Sequence, residues 1–402
     1  MLIKHWLACG VTTAALALHL SALAQKKYDP GASDTEIKIG QTMPYSGPAS
    51  AYGTIGRAEA AYFKKVNDEG GINGRKVVFT SLDDGYSPPK TVEATRRLVE
   101  QDQVLLMFGS LGTAHNTAIH AYMNAHNVPQ LFVATGASKW NDPRSHPWTM
   151  GWQPNYQTET QIYAKHILQT RPNAKIGVLY QNDDYGKDYL KGLKDGLGDK
   201  AGSMIVAEVS YEVTDPTVDS QILQLQGSGA DVFVNITTPK FAAQAIRKAY
   251  DSGWKPVHYL NNVSGSVGSV LTPAGLEKSV GVITGIYGKD PTDPTWENDS
   301  GMIAWRAFMK KYYPEGDLTD TGNVYGYAAA RTMVQVLKQC GDNLTHENVM
   351  RQAASLKDFD PGTSLPGIKI NTSPSDYAPI KAVQLARFDG KTFVRFGEVL
   401  SK

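Results

Sequence analysis

The sequence predicts an α/β protein built as two Rossmann-like lobes, each a parallel sheet flanked by helices. Three observations predict it. Short β-rich runs alternate with helical patterns from Glu36 to Val133. The same alternation restarts near residue 156 and continues to Leu260. A helical return segment past residue 284 then leads to a terminal hairpin. Repetition of strand, helix and strand requires a parallel sheet covered on both faces.

In the first unit a flexible start over Gln25–Ser33 precedes a strand at Glu36–Gly40. Arg57–Asn67 places Ala58, Ala61, Tyr62 and Val66 on one helical face and ends at Gly70-Gly71. A strand at Lys76–Leu82 leads to a helix opened by Pro88-Pro89, where the missing N–H groups cost nothing. Val104–Phe108 is a fully apolar strand, followed by a helix over Thr113–His126 and a strand at Gln130–Val133.

The second unit begins with a helix at Tyr156–Gln169, a strand at Ile176–Tyr180, a helix at Lys187–Leu197 and a strand at Met204–Tyr211. Helix Ser220–Gln226, strand Asp231–Ile236, helix Lys240–Asp251 and strand Val257–Leu260 complete it. Past residue 284 come helices at Met302–Tyr312, Val324–Cys340 and His346–Ser355. The tail reads as a β-hairpin around Asp389-Gly390. No low-complexity linker separates the units, so the lobes are expected to interleave.

Composition narrows the function classes. The 402 residues carry 40 Lys+Arg against 39 Asp+Glu, a formal net charge of +1. That balance argues against a nucleic-acid coat or a polybasic membrane binder, both of which need clustered charge. The N-terminal residues 1–24 read as a signal peptide: Lys4, the apolar run Val11–Leu20, and Ala22-Leu23-Ala24 as a small-x-small cleavage site. Leu7-Ala8-Cys9 faintly resembles a lipoprotein box, but no apolar run precedes Cys9, so lipidation is not expected. Cleavage after Ala24 leaves Cys340 as the only cysteine, so no intramolecular disulfide is expected and Cys340 reads as a small buried hydrophobe.

Ligands of open parallel sheets bind beyond the carboxyl ends of the strands. The segments there are Met43–Pro48, Gly109–Thr113, Ala134–Ser138, Asn182–Gly186, Thr237–Pro239 and Asn261–Ser264. They are rich in hydroxyls, small residues and tyrosine, and several open a helix, whose free N–H groups suit a carboxylate. Singly, each also fits ordinary capping and turn chemistry. Catalytic patterns are lacking: there is no Gly-x-Ser-x-Gly elbow, and Gly70–Gly74 follows a helix and precedes a strand, the wrong polarity for a phosphate cradle. His115, His120 and His126 lack metal-ligand spacing and are expected on a helix surface. Asp83-Asp84 and Asp183-Asp184 read as caps or solvated loop ends. Neither an enzyme, a metal nor a cofactor is expected.

At these residues the chain resembles the type I periplasmic binding proteins of ABC importers, in particular the Leu/Ile/Val-binding family. The resemblance rests on Ile37–Gly40 leading to Ser46-Gly47-Pro48 and Tyr52-Gly53, on Asn67 followed by Gly70–Gly74, on Asp83-Asp84 before a proline-opened helix, on the Gly109–Thr113 loop, on Tyr185-Gly186 and on Tyr327-Ala328-Ala329. It implies two lobes joined by a three-crossover hinge that close on a ligand in the cleft between them. Lobe 1 is expected at 34–154 and 285–370, lobe 2 at 155–284 and 371–402. The resemblance further implies that Thr113, with the backbone of Leu111 and Gly112, holds a ligand carboxylate. Gly136 matches a carbonyl contact and Ser138 a second hydroxyl. Tyr52 and Tyr185 match rings closing from opposite lobes, and Thr237 and Asn262 match lobe 2 contacts. Two departures stand out. Tyr86 and Gly112 occupy the places of the family's early disulfide, and Asn262-Val263-Ser264 stands where amino-acid binders carry a Glu for the α-ammonium.

The expectation is therefore an exported, periplasmic, monomeric binding protein that delivers a small carboxylate, plausibly an aromatic acid, to a membrane permease. Tyr45, Tyr52 and Tyr185 offer ring faces to such a body. A branched-chain amino acid or amide binder that recruits Asp183 or Asp184 is the alternative within the fold. A sensor docking on a membrane receptor is the alternative of another class.

Overall fold

The computed structural model describes residues 26–401; the expected signal peptide lies outside them. A short strand β1 (Lys27–Tyr28) comes first, then β2 (Glu36–Met43), α1 (Gly53–Asp68), β3 (Lys76–Asp83), α2 (Pro88–Arg96), β4 (Leu106–Phe108), α3 (Thr113–Ala125), β5 (Gln130–Val133) and β6 (Thr149–Gly151). These build a five-stranded parallel sheet in the order β3-β2-β4-β5-β6. The order reverses beside β2, so the loop after β4 sits at the switch point where such sheets bind ligands.

The chain then crosses through residues 152–155 into α4 (Tyr156–Thr170), β7 (Ile176–Gln181), α5 (Asp184–Leu197), α6 (Ala201–Met204), β8 (Ile205–Tyr211) and α7 (Asp219–Gly227). After β9 (Val232–Ile236), α8 (Pro239–Asp251) and β10 (Val257–Leu260) come the short α9 (Thr272–Ala274) and β11 (Ile283–Ile286). It returns to the first lobe for α10 (Ser300–Tyr312), α11 (Thr321–Cys340), β12 (Asn343–Leu344) and α12 (His346–Ala353), and crosses a third time into β13 (Ala382–Phe388) and β14 (Phe393–Ser401). The second sheet has seven strands in the order β14-β13-β11-β10-β9-β7-β8, parallel except for the antiparallel pairings of β13 with β11 and β14.

The chain thus forms two α/β lobes linked by three passages. β11 pairs within the second sheet across the expected 284/285 boundary, and residues 354–381 form the third passage around the expected 370/371 boundary. The segment read as a flexible start is tied down: Lys27–Tyr28 pairs with Asn343–Leu344, and Arg75 donates to both Tyr28 and Asp342.

Apolar periodicity explains why α1 and α11 dock together. α1 buries Ile55, Ala58, Tyr62, Phe63 and Val66 on one face. A Cβ on Gly326 of α11 would lie 2.6 Å from the Ile55 carbonyl, so glycine sets this close approach. Tyr62 then meets Tyr327 edge-on at 5.1 Å and Phe308 at 5.8 Å. Cys340 is buried, and burial pushes its thiol up to about 12, which removes it as a nucleophile.

Two expectations about polar residues need correction. His115 and His120 do not decorate a surface: they are 2% and 7% exposed, because α2 and the 138–148 segment cover α3. The His115 ring lies 4.1 Å from the Tyr86 ring, and His120 stacks on His146 at 3.9 Å. Burial pushes His120 down to about 4 and lowers His115 too, so both are neutral at pH 7. Asp84 is no solvated loop end either. It is fully buried and accepts from the Tyr86 N–H at 3.0 Å and the Thr91 hydroxyl at 2.7 Å.

Candidate functional site

A cleft lies between the lobes at the carboxyl ends of both sheets, with about 1190 Å³ of space, including that open to solvent. Its lobe 1 end is the Gly109–Thr113 loop. Leu111 donates to the Thr42 carbonyl at 3.2 Å and bridges to Ala134, which holds the loop against both neighbouring strands. Gly112, at φ +104°, turns the chain into α3, and a Cβ there would sit 2.3 Å from His115 Nδ1. No side chain caps α3, so its first-turn N–H groups open at the cleft with the positive end of the helix dipole.

The hydroxyl protons at this end have a direction. Thr113 Oγ1 lies 2.6 Å from Thr135 Oγ1. Thr135 Oγ1 also accepts from Trp140 Nε1 at 3.3 Å and the Ala137 N–H at 3.4 Å. With both acceptor positions of Thr135 engaged, its own proton goes to Thr113. The Thr113 proton is then left to donate into the cleft.

The walls are aromatic. Tyr52 comes from the start of the α1 segment, Tyr86 precedes α2, and Tyr185 belongs to the first turn of α5. Tyr156 stands edge-on to Tyr185 at 5.6 Å, and Trp152 edge-on to Tyr325 at 4.9 Å. Asn261 Nδ2 donates to the Tyr185 hydroxyl at 2.6 Å and fixes that ring. Burial raises the phenols of Tyr52, Tyr86 and Tyr185 well above the usual range, so these walls stay neutral.

The charged groups at the cleft are occupied. Lys289 Nζ pairs with Asp299 at 2.7 Å and donates to the Gly362 carbonyl at 3.0 Å. Asp290 accepts from the Thr292 N–H and hydroxyl, both at 2.9 Å, and from the Phe393 N–H at 3.3 Å. Asp320 caps α11 through the Gly322 N–H at 2.9 Å.

The structure brings together six of the nine expected site residues: Tyr52, Leu111, Gly112, Thr113, Tyr185 and Asn262 line one cleft. It leaves three off it. The Gly136 carbonyl accepts from the Tyr156 N–H at 2.8 Å, and Ser138 Oγ donates to Asp188 at 2.7 Å. Thr237 is fully buried, with its hydroxyl donating to Asn235 at 2.7 Å. Tyr45 also stands apart, bonded to Ser81 at 2.6 Å beneath the Arg57 guanidinium. Asp183 caps α5 and Asp184 pairs with Lys139 at 2.7 Å, so neither lines the cleft. Trp152, Tyr156, Tyr287 and Tyr325, which sequence reasoning missed, sit in or beside crossovers or on α11, where no strand-end rule points.

The lobes are bonded across the cleft. Asp184 of α5 meets Lys139 and accepts from Thr117 at 3.2 Å, and Asp188 meets Ser138. Elsewhere along the cleft, Ser266 and Ser269 donate to Asp320 at 3.0 and 3.1 Å, and the Gly268 N–H donates to the Thr319 carbonyl at 3.0 Å. This is a closed arrangement. Among the described residues no cluster of three His, Cys, Asp or Glu could hold a metal ion, and no helix is long and apolar enough to cross a membrane.

Comparison with known proteins agrees with this geometry. A family model described as "Periplasmic binding protein" matches residues 36–392. The Leu/Ile/Val-binding protein homolog 7 of Brucella abortus (strain 2308) is 23% identical over 372 residues, covering 87% of this chain and 88% of its own length. A branched chain amino acid ABC transporter structure from Thermus thermophilus, with bound valine, superposes with a TM-score of 0.82 at 16% identity, covering 92% of this chain and 98% of that one. A solute binding protein of an ABC transporter from R. palustris, in complex with benzoate, gives 0.76 at 17% identity, covering 91% and 98%. The chain, with its two-lobed fold and interlobe cleft, belongs to the periplasmic binding protein family, whose members are binding proteins and not enzymes.

Proposed function

We propose that this protein captures a small organic acid with an aromatic or otherwise apolar body, closes over it, and delivers it to the membrane permease of an ABC importer. One observation carries the reading: the two parts of the cleft differ in kind. At the α3 end an uncapped helix start and a free Thr113 proton suit a carboxylate, through charge-assisted bonds of about 1.5–3 kcal/mol each. The body of the cleft is lined by neutral tyrosine and tryptophan rings, and its charged groups already have partners. An amino acid ligand would bring an ammonium that Asn262 cannot neutralise, and burying it unpaired costs several kcal/mol. The signal-like residues 1–24 and the family support export to the periplasm.

A branched-chain amino acid remains the second reading, because Asp290 and Asp320 reach the cleft and the valine-bound neighbour shares the fold. To serve an ammonium, either aspartate would have to give up bonds it makes here. A thermal-shift screen of the purified protein against benzoate-type acids and aliphatic and aromatic amino acids separates the two. Stabilisation by acids alone supports the proposal, and stabilisation by amino acids alone refutes it. The ligand should also be recovered unchanged, one per chain.

A further inference from the structure

Behind the second-lobe wall lies a carboxyl group that the ligand reading does not use. Glu159, in the first turn of α4, is 2% exposed. Its Oε1 accepts from the Asn262 backbone N–H at 2.6 Å and lies 2.6 Å from Tyr163 Oη, while Oε2 accepts from the Tyr189 hydroxyl at 2.8 Å. The Tyr163 hydroxyl is in turn wedged between two strands. The Gly285 N–H donates to it at 2.8 Å, and the Leu260 carbonyl oxygen is 2.9 Å away. Tyr259 of β10 is in register with Ile283 of β11. In that register the next ladder bond would run from the Gly285 N–H to the Leu260 carbonyl, and the tyrosine hydroxyl takes its place.

Counting protons favours a neutral Glu159. Tyr163 has one hydroxyl proton, and the Leu260 carbonyl can only accept it. With that proton on Leu260 and the Gly285 N–H donating to Tyr163, the 2.6 Å contact between Tyr163 and Glu159 is a hydrogen bond only if Glu159 supplies the proton. An ionised Glu159 would compete with Leu260 for the single tyrosine proton and leave a buried acceptor unpaired. The titratable groups around it are tyrosines: Tyr156 and Tyr163 on α4, Tyr189 on α5, and Tyr287 just past β11. Among the described residues no basic side chain shifts it, and burial pushes its carboxyl up to about 7.

We propose that Glu159 is a positioning residue for the cleft: its carboxyl holds the Asn262 turn by accepting that N–H and, while protonated, leaves the Tyr163 proton free for the β10–β11 floor, so that losing the carboxyl proton draws Tyr163 away from the floor and resets the wall. Asn262 and Val263 line the cleft, as do Ile286 and Tyr287 at the far end of the same unit, and Asn262 Nδ2 also donates to the Gly285 carbonyl. Ionisation turns the single Tyr163 proton from the Leu260 carbonyl to the carboxylate, leaving that strand carbonyl unpaired, and puts a negative charge behind a wall that faces the ligand. Only the ligand part of this inference rests on the acid reading given above. Gln at 159 stays neutral, but no single atom of its amide can both donate to Tyr163 and accept from Asn262.

The test has two arms on the full chain. Infrared difference spectra between about pH 6 and 8.5 should show a protonated-carboxyl component that disappears at the higher pH in wild type, and Glu159→Gln should lack that component. Calorimetry with benzoate, which stays ionised throughout, should show affinity falling about tenfold over that range in wild type and by less than about twofold in Glu159→Gln. Glu59, also fully buried with its carboxyl raised by burial, contributes equally to both proteins, so a band of the same intensity in wild type and Glu159→Gln, or an equal pH dependence of affinity in both, overturns the proposal. If benzoate binds neither protein, the acid reading fails for this ligand, and the infrared arm still decides whether Glu159 holds the proton.

Discussion

The hydroxyl of Thr113 lies 2.6 Å from that of Thr135, and Trp140 and Ala137 donate to Thr135 from behind. This relay points the Thr113 proton at the cleft. Thr113→Val keeps the side-chain shape and removes the hydroxyl, so affinity for the acid ligand should fall about tenfold to a hundredfold, at 1.4 kcal/mol per tenfold. Thr135→Val leaves the Thr113 hydroxyl in place but unoriented, and should cost less. Titration calorimetry of both variants checks the order, and a Thr113→Val protein as tight as wild type puts the carboxylate elsewhere.

Gly112 is the backbone counterpart of that relay. Its φ of +104° and the 2.3 Å approach of His115 Nδ1 to any Cβ exclude a side chain without movement. Gly112→Ala should destabilise the protein by more than ~1 kcal/mol and displace the start of α3. Denaturant midpoints and ligand titration should both respond, and an unchanged affinity would show that the loop backbone makes no ligand contact.

Asp320 and the Ser266/Ser269 pair join the lobes along the cleft. Hydrogen bonds to a carboxylate contribute about 1.5–3 kcal/mol each, and these exist only when the lobes are closed. The double variant Ser266→Ala, Ser269→Ala should shift the free protein toward open forms and weaken ligand binding roughly tenfold or more. Small-angle scattering without ligand should give a larger radius of gyration than wild type, with ligand restoring compaction. Identical radii would mean that these contacts do not set closure.

Glu159 also makes a stability prediction of defined sign. Its carboxyl is raised from 4.5 in the unfolded chain to about 7 in the folded one. As pH rises past 4.5 the unfolded chain releases this proton while the folded chain keeps it, so stability falls with rising pH until about 7 and is level beyond. At about 1.4 kcal/mol per unit the loss is about 3 kcal/mol. Chemical denaturation of wild type and Glu159→Gln across this range should differ by that slope, and parallel profiles would contradict it.

Most of the fold was legible because the apolar runs are either continuous or cleanly periodic. Val104–Phe108 and Asp231–Ile236 could be read as buried strands, and the strands observed are Leu106–Phe108 and Val232–Ile236. Thr149–Gly151 and Ile283–Ile286 escaped because they are short and carry no alternation; their pairing comes from neighbours distant in sequence. α5 starts at Asp184 and not at Lys187, since Asp183 caps it ahead of the first apolar turn. The loop at Leu111–Thr113 was legible from the strand-end rule. Trp152, Tyr156, Tyr287 and Tyr325 were not, because the docking of the two lobes brings them to the cleft. Glu159 was invisible for a different reason: its three partners come from α4, α5 and the turn after β10, elements of one lobe that are far apart in sequence.

The central claim is that the cleft takes a carboxylate without an ammonium, and a single calorimetric comparison tests it most directly. Purified protein is titrated with benzoate-type acids and, separately, with leucine, valine and phenylalanine. Tight binding of at least one acid, one per chain, with little or no heat from the amino acids is the predicted result. Submicromolar binding of any of those amino acids, with no response to the acids, would contradict it.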